Sequence, residues 1–92
     1  MLFVTNYTLK PHLTKSDSKA LMDEFGKRGG APGEVAHYVR IDGSGGVTIT
    51  DNEDAATLYA YVLPFAEYMD FDVCPALKID DAVGPILSWL GG

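Results

Sequence analysis

Residues 34–51, EVAHYVRIDGSGGVTITD, decide the fold. Two runs rich in β-branched and aromatic residues, Glu34 to Ile41 and Val47 to Asp51, flank Asp42-Gly43-Ser44-Gly45-Gly46. Glycines in such a connection supply the positive φ angles that a hairpin turn needs. Pairing Ile41 with Val47 sets Val39 against Ile49 on one side, and Arg40 against Thr48 and Tyr38 against Thr50 on the other. Val35, His37, Val39 and Ile41 then share a mostly apolar face.

Working outward towards the start, Leu2 to Leu9 reads as a strand that stops at Lys10-Pro11. A helix follows, capped by Ser16 or Asp17, with Ala20, Leu21, Met22 and Phe25 at helical spacing before Gly29-Gly30-Ala31-Pro32-Gly33 ends it. Beyond the hairpin, Asp51 or Asn52 caps a second helix carrying Leu58, Val62 and Phe65, which Pro64 ends or kinks near Leu63. A fourth strand, Asp70 to Ile79, alternates Phe71, Val73, Pro75, Leu77 and Ile79 against Asp72, Cys74, Ala76 and Lys78, and Pro75 predicts an edge or a bulge. Asp80 then caps a short helix whose pattern Pro85 breaks. Its apolar end, Ile86, Leu87, Trp89 and Leu90, is expected to dock on the core or on a partner.

The order β-α-β-β-α-β over a single domain, residues 1–92, predicts an α+β, ferredoxin-like antiparallel sheet with both helices on one face. The other face is left bare, showing Tyr38, Thr48, Thr50, Cys74, Ala76 and either Phe3 or Val4. A second copy is the economical cover, so the chain is expected to form a homodimer. Its length agrees: so short a chain hides only about 60–65% of its unfolded surface, and pairing would thicken the core.

Composition narrows the function classes. A hydrophobic fraction of 47% with 22% charged residues suits a folded globular domain and leaves no stretch for a membrane span. The net charge of −6, with seven scattered Lys and Arg residues, argues against nucleic acid and anionic membranes as partners. One cysteine, Cys74, excludes an internal disulfide and a cysteine metal cluster. The opening residues lack the basic and apolar regions of a secretory signal, which predicts a cytoplasmic protein.

The Val4-Thr5-Asn6-Tyr7-Thr8-Leu9-Lys10-Pro11 opening, the Asp42-Gly43-Ser44-Gly45-Gly46-Val47 turn and the close Phe71-Asp72-Val73-Cys74-Pro75-Ala76-Leu77-Lys78-Ile79-Asp80-Asp81-Ala82 together resemble a family of small bacterial and phage domains of unknown function. That family is similar to the dimeric α+β barrel superfamily, whose members include cofactor-independent monooxygenases, muconolactone isomerases, haem-binding enzymes and stress-response proteins. The resemblance implies the fold and the dimer and selects no function.

The candidate chemistry is sparse. His12 and His37, the two imidazoles, lie in no metal-ligand spacing, so no metal site is expected; no cofactor is expected either, haem ligation by His37 being the one such role left open. Asn6, Tyr38, Arg40 and Thr50 come from neighbouring strands and could converge on one sheet face, where an amide beside a guanidinium suits an enolate, phenolate or carboxylate. With His37 they form the candidate ligand cavity. The competing reading is an interface network with Arg40 paired to Asp42 or Asp72. Cys74 lacks a neighbouring base and reads as a small hydrophobe. The leading expectation is a protein that binds a small apolar or aromatic molecule. The alternatives are a cofactor-independent monooxygenase or isomerase acting on a phenolic or lactone substrate, with Asn6 and Arg40 holding the anion and His37 or Tyr38 handling a proton, and a structural or regulatory interaction module.

Overall fold

A computed structural model describes residues 1–91 and contains, in order, β1 (Leu2–Leu9), α1 (Lys15–Arg28), β2 (Glu34–Val39), β3 (Gly45–Asp51), α2 (Ala55–Val62), a 3-10 turn (Leu63–Phe65), β4 (Met69–Ala76) and α3 (Ile79–Gly91). The four strands form one antiparallel sheet in the order β2-β3-β1-β4, which is the ferredoxin-like α+β arrangement. β4 lies at an edge, where Pro75 removes no ladder bond that the sheet needs.

α1 begins earlier than Ser16 or Asp17 would have it. Thr14 is the cap: its hydroxyl accepts from the Asp17 amide at 3.0 Å, while the Asp17 carboxylate accepts from the Thr14 amide at 2.9 Å. This reciprocal pair satisfies two otherwise orphaned donors. The Thr14 amide also holds the Asp17 carboxyl below its ordinary range. α2 is capped by Asp54 rather than Asp51 or Asn52, because the Asn52 side chain is used to turn the chain, accepting from the Asp54 amide. Pro64 converts the end of α2 into the 3-10 turn.

The hairpin register also differs from expectation. Tyr38 pairs with Val47, Val39 with Gly46 and His37 with Thr48, so the strands slip by three residues and β3 starts at Gly45. An odd slip turns every side chain to the other face. Thr48 and Thr50 therefore face the helices together with His37. The helix-free face instead carries Val4, Asn6, Tyr38, Val47, Ile49, Asp72 and Cys74, which are aligned across the sheet by the ladders Val4–Ile49, Val4–Cys74, Asn6–Val47 and Asn6–Asp72.

The core sits between the sheet and α2, where Phe3, Leu58, Phe65 and Met69 are buried. α1 buries no residue fully and is held chiefly through Phe25, whose ring lies 6.4 Å from that of Phe65. Thr50 is 0% exposed and its hydroxyl has no partner. Thr50→Val keeps the shape and removes an unsatisfied polar group, so it is expected to stabilise the fold by about 1 kcal/mol, read as a raised unfolding midpoint in urea.

α3 departs most from the sequence reading. Pro85 does not interrupt it, and among the described residues none of its side chains is buried: Ile79, Val83, Ile86, Leu87, Trp89 and Leu90 are all exposed. The molecule consequently measures 57 × 27 × 17 Å with a radius of gyration of 16.1 Å, against about 12 Å for a compact chain of this length.

Candidate functional site

Alternation along β1 sends Phe3, Thr5, Tyr7 and Leu9 towards the helices, and the last three line a cavity of about 540 Å³ between sheet and helices. Its walls are mostly apolar, with Leu21, Met22 and Phe25 from α1, Leu58 and Tyr61 from α2, and Phe65 and Phe71 beyond. The cavity exists because α1 stands off the sheet instead of packing into it.

The polar part of this cavity spans three strands. Tyr7 lies on β1 and His37 on β2, with β3 between them, so their backbones are about 10 Å apart. The Tyr7 hydroxyl nevertheless reaches His37 Nε2 at 2.6 Å, and the two rings meet edge to face with centroids 5.7 Å apart. Gly46 makes this possible. It pairs with both Tyr7 and Val39, and a Cβ placed on it would strike the Tyr7 ring. The tyrosine thus occupies the space that a β3 side chain would fill.

Burial raises the Tyr7 phenol above its ordinary pKa; the Arg40 charge works against this and Glu34 adds to it. The Tyr7 phenol is therefore un-ionised near neutral pH and shares one hydrogen bond with His37 Nε2. The other ring nitrogen, Nδ1, lies 3.7 Å from the Glu34 carboxylate. Phe25 covers the imidazole, with ring centroids 6.2 Å apart. Thr5, 2% exposed and also lining the cavity, has a hydroxyl without a partner. The result is an apolar chamber with one hydrogen-bonded polar wall, the usual make-up of a small-molecule site.

Of the five residues predicted to converge, the sheet separates them. His37 and Thr50 face the helices, and His37 lines the cavity. Asn6 and Tyr38 lie on the helix-free face. Arg40 sits at the hairpin end, at the rim of the cavity, where its guanidinium donates to the Ser44 hydroxyl at 3.2 Å and the Thr8 hydroxyl at 3.5 Å, not to Asp42 or Asp72. Asp42 is engaged by the Ser44 amide at 3.0 Å, which lowers its pKa. Asn6 and His37 thus stand on opposite sides of the sheet and cannot hold and deprotonate one molecule together. Sequence reasoning missed Tyr7 and Glu34. The alternation of Phe3, Thr5 and Tyr7 was the available signal for Tyr7.

The model of a domain of unknown function, DUF3303, matches residues 1–87, which takes in all four strands and most of α3. The chain belongs to the DUF3303 family. No curated protein matches it. Among the described residues no three His, Cys, Asp or Glu side chains gather as a metal site, and no helix is long and apolar enough to cross a membrane.

Proposed function

We propose that this DUF3303 domain binds a small apolar or aromatic molecule in the chamber between sheet and helices, with a polar atom of that molecule against the Tyr7–His37 pair. One observation carries this: a cavity of about 540 Å³, within the size range of ligand pockets, has a single hydrogen-bonded polar wall in an apolar lining. The hydrogen bond to His37 leaves the Tyr7 oxygen with further capacity for a polar atom of the ligand, while the unpartnered Thr5 hydroxyl would gain a partner from a ligand that reached it. We also propose that the working form is a homodimer in which two copies cover each other's helix-free sheet face. Val4, Tyr38, Val47 and Ile49 give that face its apolar character.

The neutral fluorophore N-phenyl-1-naphthylamine serves as a probe. Its emission is expected to rise on titration with the protein, and Leu21→Trp, which fills the chamber from α1, is expected to weaken binding at least tenfold. Emission unchanged by the wild-type protein, or binding indifferent to Leu21→Trp, would rule the chamber out as the site.

A further inference from the structure

We infer that α3 is an exchanged arm, which docks its apolar stripe on the β2 edge of a second copy of this chain; this rests on the homodimer proposed above. The stripe is continuous. Ile79, Ala82, Val83, Ile86, Leu87 and Leu90 follow the three- and four-residue spacing of a helix face that belongs against another surface. All but Ala82 are exposed, and Trp89 beside them is 78% exposed.

A helix of this kind does not stand alone. Isolated helices shorter than about 12–15 residues are marginal in water even when alanine-rich. α3 has 13 residues, with Gly84 and Pro85 at its centre, residues about 1 and about 3 kcal/mol worse than alanine in a helix interior. Its helicity requires a partner surface. An anionic bilayer is a poor candidate, because the chain carries a net charge of −6 and the first turn of α3 holds Asp80 and Asp81.

A second copy offers a matching surface. β2 is the opposite edge of the sheet from β4, and Val35, Tyr38 and Val39 along it, with Ile41 in the turn just beyond, are exposed large apolar residues. Such an edge invites a cover. A two-fold axis running along the strands, on the helix-free side, stacks the two sheets and reverses their order, so that β4 of one copy lies over β2 of the other. α3 leaves β4 after only Leu77 and Lys78 and so starts at that edge, at its Val35 end. The lengths are compatible as well: 13 helical residues span about 20 Å, enough to cover the four extended steps from Val35 to Val39, about 13 Å, and to reach the turn beyond them. Val39 lines the chamber, so an arm lying on this edge would also wall the partner's binding site.

Two measurements test the arm. In sedimentation velocity the wild-type chain is expected to be a dimer, and the full-length Ile86→Asp, Leu90→Asp double variant to dissociate at least a hundredfold more readily, with lower far-UV helicity and a retained cooperative unfolding transition. In a Cys74→Ser background, a Val39→Cys chain mixed with a Leu90→Cys chain is expected to form the mixed disulfide dimer in preference to either homodimer. A dimer of unchanged affinity in the double variant, without preferential cross-linking, would overturn the arm and leave the stacked sheet faces standing. A wild-type chain that stays monomeric would overturn both. Probe binding in the chamber is read separately and fails or survives independently of either result.

Discussion

Gly46→Ala is expected to cost the fold about 3–4 kcal/mol and to dismantle the polar wall of the chamber in the same step. A Cβ at position 46 would overlap the Tyr38 carbonyl oxygen on one side, and on the other the Tyr7 hydroxyl and ring, with Tyr7 Cζ 2.7 Å away. The first of these is backbone of the paired strand and cannot move without opening the β2–β3 ladder. The second can move, but only by withdrawing Tyr7 from His37. For a domain of this size the total stability is about 5–14 kcal/mol, so the variant is expected to keep a fraction of it. Urea unfolding should show the loss. In whatever fraction folds, the His37 imidazole resonances should lose the shift imposed by the tyrosine ring. Wild-type stability in this variant would mean that Tyr7 does not cross β3 as described.

Phe65→Ala is expected to remove about 3–5 kcal/mol, the usual range for deleting a buried aromatic ring. Phe65 is 4% exposed and touches both helices, through Phe25 on α1 at 6.4 Å and Tyr61 on α2 at 5.3 Å. Tyr61 in turn donates to the Gly29 carbonyl oxygen at 2.7 Å and pins the end of α1. Because α1 buries nothing of its own, losing this ring should loosen the roof of the chamber before the sheet melts. The expected signature is a lower unfolding midpoint together with loss of N-phenyl-1-naphthylamine binding already at low urea. Phe65→Leu should lose less than half as much, since it refills most of the volume.

Element order, sheet topology and the edge position of β4 were all legible in the sequence, because hydrophobic period and glycine or proline punctuation are local signals. The hairpin register was not. Gly45 and Gly46 look like turn residues, yet they belong to β3: Gly46 is required small by Tyr7, thirty-nine positions away in the chain, and no local rule carries that information. Misplacing the turn by these residues moved Thr48 and Thr50 to the wrong face and hid Tyr7 from the candidate site. The α1 cap was readable: Thr14 and Asp17 have the spacing of a capping box, and Ser16 merely lay closer to the apolar run. His37 keeps the helix-side face that alternation along β2 gave it, but its neighbours there are Tyr7, Glu34 and Phe25, and the residues expected to join it, Asn6 and Tyr38, lie on the other side of the sheet. Nor could Pro85 be read correctly from propensity, which describes a helix in isolation.

Tyr7 serves two positions at once, its own on β1 and the vacant one on β3. The floor of the chamber is therefore tiled at that point by a single residue, hinged on one strand and resting on another. Turning that side chain away would uncover the Gly46 backbone at the cost of the hydrogen bond to His37, so the depth of the floor at that point is set by one side chain and not by the ladder.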